Sequence, residues 1–176
     1  MSSGGTLDLR DRVRDVPDFP KPGIVFKDLM PLVADPAYFR ETLDRLEELA
    51  RPLEPDIILG AEARGFIFGG ALADRLGCGF VPARKPGKLP WSTVEASYDL
   101  EYGTDSLQVH ADAITKGARV IVHDDVLATG GTAKAKTELV EQLGGEVVGL
   151  LFVVELAFLN GREKLAGYDV QSLLAY

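Results

Sequence analysis

An α/β fold with a mostly parallel central sheet flanked by helices is predicted by three observations. Short apolar runs at residues 56–60 (D-I-I-L-G), 118–125 (A-R-V-I-V-H-D-D) and 146–156 (E-V-V-G-L-L-F-V-V-E-L) read as buried strands. Segments of helical spacing lie between them, the alternation that builds a parallel sheet. The turn leaving the second run, L-A-T-G-G-T at 127–132, is small, glycine-rich and hydroxyl-bearing, and a helical pattern follows at once through Ala135, Leu139, Val140 and Leu143. With 176 residues, 46% of them hydrophobic, and no internal repeat or linker, residues 1–176 are expected to form one domain.

The elements follow in order. The polar, glycine-rich first residues are expected to fray. Residues 7–16 alternate charge with Leu7, Leu9, Val13 and Val16 and suggest a short amphipathic helix, while the three prolines of 17–23 impose an extended, non-helical segment. Asp35-Pro36 has the form of an N-cap followed by proline, and Phe39, Leu43, Leu46 and Leu49 make the apolar stripe of a helix ending before Pro52. Residues 56–60 are a buried strand, 65–76 a second helix closed by Gly77, and 79–84 a strand cut short by Pro82. Residues 85–105 lack any helical period and suit a functional lid or a weak hairpin, with strand character returning at Leu107–His110. Residues 118–125 are the central strand, followed by the motif helix, a stop at Gly144-Gly145, the longest apolar strand, one helical turn at 161–165 and a closing edge strand at 170–176.

Charge and cysteine usage narrow the class. A formal net charge of −8 argues against nonspecific nucleic-acid binding. The lone Cys78, expected to be a small buried side chain, cannot form an internal disulfide, and a reducing, cytoplasmic setting fits. No run has the length of a membrane span and the N-terminus has no apolar core, so no membrane partner is expected.

The chemistry concentrates where the central strand ends. At A-T-G-G-T, residues Ala128, Thr129, Gly130, Gly131 and Thr132, backbone N–H groups and a helix start converge and favour a phosphate. The preceding acids Asp124 and Asp125 suit the vicinal hydroxyls of a ribose. The lysine of a G-x-x-x-x-G-K-[ST] loop and the spacing of G-x-G-x-x-G are both missing, which excludes those two nucleotide motifs. Besides the long segment 85–105, two other loops belong at the same carboxyl edge of the sheet. One, A-E-A-R-G, offers Arg64 at a helix start, as an anion ligand or as an ordinary solvated arginine. The other, R-K-P-G-K, gathers Arg84, Lys85 and Lys88, which suit a pyrophosphate unless they are merely solvated. His123 faces away from Asp124 by strand alternation and is expected to be a satisfied buried histidine; His110 is expected to be solvated, and Trp91 exposed and without a role.

The stretches P-D-F-P-K-P-G-I-V-F-K-D (17–28), G-A-E-A-R-G-F-I-F-G (60–69), R-K-P-G-K-L-P (84–90), A-S-Y-D-L-E-Y-G (96–103) and D-D-V-L-A-T-G-G-T (124–132) together resemble the adenine phosphoribosyltransferase family, as do G-R-E-K-L and S-L-L near the C-terminus. The resemblance implies the type I phosphoribosyltransferase fold, with a small N-terminal hood over about residues 1–33 and a flexible lid loop. It implies transfer of phosphoribose from 5-phosphoribosyl 1-pyrophosphate (PRPP) to adenine, giving AMP and pyrophosphate in purine salvage. By the same resemblance, Ala128 to Thr132 hold the 5′-phosphate, Asp124 and Asp125 the ribose, and Arg64, Lys85 and Lys88 the pyrophosphate. Mg²⁺ is held mainly by the substrate rather than by protein ligands. Val25 and Phe26 line the adenine pocket, Glu101 carries the proton traffic on the base, and Tyr102 belongs to the lid. The peptide matching Glu62-Ala63 is often cis in the family, and the family is typically homodimeric. The alternatives are a phosphoribosyltransferase for a 6-oxopurine and a non-catalytic PRPP sensor.

Overall fold

The computed structural model describes residues 7–100 and 103–176. They fall into two units, one reaching Arg45 and the other running from Leu46 to the C-terminus.

In the N-terminal unit a single 3-10 turn, Leu9–Arg12, is capped by Asp8 and followed by strand β1, Arg14–Pro17. The expected helix over 7–16 is therefore replaced by a turn and a strand. β1 pairs antiparallel with β2, Val25–Asp28, and this ladder, clamped by Arg14–Asp28 and Lys27–Asp15 ion pairs, wins over a marginal ten-residue helix. The proline-rich segment between the strands is non-helical but turns rather than extends. Asp18 accepts a hydrogen bond from the Gly23 amide at 2.8 Å, and the Phe19-Pro20 bond is cis. A five-residue helix that the sequence did not announce, α1 (Met30–Ala34), buries Leu32. Helix α2, Pro36–Ala50, begins where expected: Asp35 accepts from the amides of Ala37 and Tyr38. Pro52 does not stop the chain abruptly, because the last turn tightens into a 3-10 turn over Arg51–Leu53 that tolerates it.

The second unit is built on a five-stranded sheet. Its strands are β3 (Ile57–Ala61), β4 (Gly79–Ala83), β7 (Arg119–Leu127), β8 (Glu146–Glu155) and β9 (Val170–Ala175), in the order β4-β3-β7-β8-β9 and parallel throughout. β7 is thus central, and the proline-bearing β4 lies at an edge, where a missing N–H costs nothing. Helix α3, Arg64–Leu76, ends at Gly77 in the left-handed region and packs on β3 and β7. Helix α4, Gly131–Gln142, packs on β7, β8 and a separate antiparallel hairpin made of β5 (Thr93–Asp99) and β6 (Thr104–His110). Of the segment 85–105, expected to be a lid or weak hairpin, the described residues from Thr93 on belong to this hairpin, which also takes in the strand expected at Leu107–His110.

One core cluster joins Leu59, Val120, Val122, Leu139, Val140 and Leu150 with Ala96, Leu107 and Val109 of the hairpin. Each strand contributes alternate residues, so the hairpin is seated by its apolar side. Because β3, β4, β7 and β8 are parallel, the loops leaving them emerge together at the carboxyl edge of the sheet, the edge on which open α/β sheets bind ligands.

Candidate active site

The central strand delivers Asp124 and Asp125 and then turns through Ala128–Gly130 into α4. Gly130 adopts φ +82° and serves as the helix N-cap, with no side chain to satisfy the first amides. The amides of Gly131, Thr132 and Ala133 lie in the first turn, where the helix itself supplies no acceptor. Thr129 is exposed and Thr132 half-buried, so both hydroxyls are available. An anion is what such a terminus attracts. The loop has a backstop: a Cβ on Gly130 would lie 2.3 Å from the Gly161 carbonyl oxygen, and one on Gly161 would lie 2.3 Å from that of Ala128. The 3-10 turn Gly161–Leu165 is therefore pressed against the loop, and only two glycines allow it. Arg162 anchors that turn through two hydrogen bonds of 2.7 Å to Glu155, which also accepts from Ser172. Those bonds, from Arg162 first, hold the Glu155 carboxyl below its usual range.

The two acids have different environments. Asp124 accepts from the buried ammonium of Lys136 at 2.8 Å through Oδ2, and from the Asp125 amide at 3.0 Å through Oδ1. Burial by itself would raise its pKa; the charge and hydrogen bond of Lys136 outweigh that and hold it down. Asp125 is buried and paired with Arg64 from the start of α3. Burial, followed by the charge of Asp124, nonetheless pushes its pKa up to about 6. The start of α3 lies against these acids because residue 65 is glycine: a Cβ there would meet Asp124 Oδ1 at 2.8 Å.

The second loop is tied to the third. Glu62, whose peptide to Ala63 is cis, accepts from Arg84 Nε and Nη2 at 3.1 and 2.9 Å and from the Lys85 amide at 2.6 Å. Lys85 also forms an ion pair with Asp105 of the hairpin, and Lys88 is exposed. A pair of backbone hydrogen bonds between Arg84 and Gln108 fastens the basic loop to β6. The structure thus brings together Asp124, Asp125 and Arg64, and the residues from Ala128 to Thr132, with Lys85 and Lys88 on the loop that Glu62 ties to the start of α3. Val25 is exposed and Phe26 half-buried on β2 of the N-terminal unit, where Phe26 meets Phe19 edge to face at 5.2 Å. Glu101 and Tyr102 lie outside the described residues.

Three functional partners escaped the sequence reading. Lys136 had a visible signal, a lysine on the α4 face that also carries Val140 and Leu143; Glu62 and Asp105 had none, since their partners are remote in sequence. The histidines also differ from expectation. His123 is buried against Phe68, but both its ring nitrogens are without a hydrogen-bond partner, and burial lowers its pKa to about 4. His110 hides an unpartnered Nε2 instead of being solvated. Cys78 is half-buried rather than buried, and its thiol is pushed up by desolvation. Trp91 is exposed as expected.

A strand-to-helix anion loop preceded by two acids, at the carboxyl edge of a parallel sheet, defines a class of phosphate-sugar-binding α/β proteins. The phosphoribosyl transferase domain model matches residues 41–172, and the chain belongs to that family. Its relatives narrow the class: an adenine phosphoribosyltransferase of Thermotoga maritima is 56% identical over 170 residues, covering 97% of this chain and 98% of that protein. The crystal structure of adenine phosphoribosyltransferase from Thermoanaerobacter pseudethanolicus matches with a TM-score of 0.94 at 51% identity, over 96% of this chain and 98% of that one. That of Saccharomyces cerevisiae, complexed with an imino-altritol bisphosphate and adenine, matches with a TM-score of 0.89 at 44% identity, over 94% and 96%.

Proposed function

We infer that this chain transfers the 5-phosphoribosyl group of PRPP to N9 of adenine, releasing pyrophosphate and forming AMP for purine salvage. The observation that carries this reading is the uncapped start of α4 following two carboxylates, each matched by its own cation. The 5′-phosphate is assigned to the amides of the α4 start with the hydroxyls of Thr129 and Thr132. Asp124 and Asp125 accept from the ribose hydroxyls. Arg64, Lys85 and Lys88 face the pyrophosphate, and Val25 and Phe26 flank the base.

In the reaction the C1–O bond to pyrophosphate breaks, the C1–N9 bond forms, and positive charge develops on the sugar ring, as in glycoside cleavage. The ionised Asp124 favours that charge, while the basic side chains favour the departing pyrophosphate. Glu101 is assigned the proton traffic on adenine. The segment around residues 87–103, as a lid, excludes the water that would hydrolyse PRPP.

Mg²⁺ fits the donor set as an ion carried by the substrate. Asp124 and Asp125 are hard oxygen donors already balanced by Lys136 and Arg64. Bound with pyrophosphate, the ion supplies neutralisation of the leaving group. We further propose a single phosphoribosyltransferase domain working as a homodimer in the cytoplasm. No helix among the described residues is long and apolar enough to cross a membrane.

The test is AMP formation from labelled adenine with PRPP and Mg²⁺, beside hypoxanthine and guanine. Turnover of adenine alone supports the reading. Turnover of a 6-oxopurine would mean that Val25 and Phe26 have been assigned to the wrong base. Binding of PRPP without any turnover would make the chain a sensor.

A further inference from the structure

Lys136 is the side chain that the proposed reaction leaves unexplained. It projects from α4 among buried Ala133, Ala135, Leu139 and Val140, and it is itself fully buried. A buried ammonium costs several kcal/mol of desolvation unless it is well paired, and packing alone would be met by methionine or leucine. The ammonium is matched by the His123 carbonyl oxygen and Asp124 Oδ2, both at 2.8 Å. We propose that Lys136 is a positioning residue that fixes the Asp124 carboxylate as an ionised acceptor for the ribose hydroxyls. The proposal rests on the phosphoribosyl reading above.

The geometry restrains both oxygens of Asp124: Lys136 takes Oδ2, and the Asp125 amide takes Oδ1 at 3.0 Å. A carboxylate has about four acceptor sites, so two are left for hydroxyls while rotation of the group is blocked. The charged and titratable groups around it are His123 and Asp125 on its own strand, Arg64 from α3 and Lys136 from α4. His123 is held neutral by burial, and Arg64 engages Asp125. Lys136 is therefore the cation that serves Asp124 from within the core. Without it, two adjacent carboxylates would share one exposed arginine, and like charges so close favour protonation of one of them.

The experiment compares Lys136→Met, Asp124→Asn and the double variant with wild type. AMP and Mg²⁺-PRPP affinities are read by calorimetry, and KM for adenine is read at saturating PRPP. Lys136→Met is expected to weaken both affinities about tenfold, or ~1.4 kcal/mol, with the adenine KM changed less than about twofold. The double variant is expected to bind AMP no more weakly than Asp124→Asn alone, because Lys136 acts through that carboxylate. AMP affinity of Lys136→Met within about twofold of wild type overturns the proposal, as do losses that multiply in the double variant. If Lys136→Met does not fold, the double variant, which lacks both buried charges, decides by the same comparison with Asp124→Asn. Wild type that binds AMP and PRPP without converting adenine refutes the catalytic reading, and the affinities still judge Lys136. Wild type that binds neither overturns both.

Discussion

Replacing Gly161 by alanine tests whether the turn at residues 161–165 sets the position of the phosphate loop. The added Cβ would lie 2.3 Å from the Ala128 carbonyl oxygen and 3.0 Å from Leu127 Cδ1. Carbon and oxygen settle at about 3.3 Å or more, so the turn and the loop must part by roughly 1 Å. Neither neighbour is the far end of a flexible side chain: one is backbone, and the other belongs to a fully packed leucine. A misplacement of that size at a substrate-positioning group costs on the order of 10²-fold, or ~2.7 kcal/mol. The loss should fall on PRPP and AMP, leaving KM for adenine nearly unchanged. Initial rates with each substrate varied, together with AMP calorimetry, read the two effects separately. Gly167→Ala is the matched control: its φ of +93° strains an alanine, but nothing lies within 4 Å of the new Cβ. It should cost about 1 kcal/mol of stability and no phosphate affinity. Folded Gly161→Ala that binds AMP within about threefold of wild type would refute the role given to the turn.

Three further outcomes are expected. Arg162→Ala removes the two 2.7 Å bonds to Glu155. Because the arginine is half exposed, the stability loss should be held to about 1–2 kcal/mol, accompanied by weaker AMP binding; melting without any change in affinity would contradict it. His123, with its pKa lowered from 6.5 to about 4, binds its proton more readily when unfolded. The stability it permits is present above pH 6.5 and is lost as pH falls toward 4. Urea unfolding should show this group costing wild type about 2 kcal/mol between pH 7 and 5. His123→Leu should be at least as stable at pH 7 and lack that loss, and equal acid sensitivity in the two proteins would count against it. Asp125, pushed up to about 6, should make PRPP affinity fall as pH drops through that value. The substrate phosphate titrates nearby, so the measurement is the difference between wild type and Asp125→Asn, whose acid limb should be flatter; identical limbs would exclude Asp125 from ribose binding.

What the sequence disclosed and what it hid divide along a physical line. Strands β3, β7 and β8 were legible because strands buried on both faces must be apolar along their length, and α2 because Asp35-Pro36 is a local start signal. The loop Ala128–Thr132 was legible because backbone donors at a helix start need only small residues in a row. Residues 7–16 were misjudged because their pairing partner, Val25–Asp28, is short and lies beyond a turn of three prolines. The ion pairs Glu62–Arg84 and Lys85–Asp105 join residues 20 or more positions apart, and no local pattern announces them. Gly161 reads as the start of an ordinary turn until its carbonyl is seen against Gly130.

The adjacent acids show how the fold gives two identical side chains different work. Each has its own cation: Asp124 meets Lys136 of α4, although its Oδ1 also lies against Gly65 at the start of α3, and Asp125 meets Arg64 there. The lysine is sealed in the core, whereas the arginine is partly exposed. Asp124 is thus held below its usual pKa and ionised, which under the proposed assignment suits a ribose whose ring becomes cationic as pyrophosphate departs. Asp125, pushed up to about 6, sits close to the pH at which it gains or loses a proton, and its ionisation depends on where Arg64 is engaged. If pyrophosphate draws Arg64 away, Asp125 loses the cation that favours its charge, and hydroxyls of the ribose must replace it. Substrate would then complete a charge balance that the free protein holds by itself, which couples filling of the ribose position to filling of the pyrophosphate position. Environments that push two neighbouring carboxylates apart in pKa separate their roles more sharply than sequence position can.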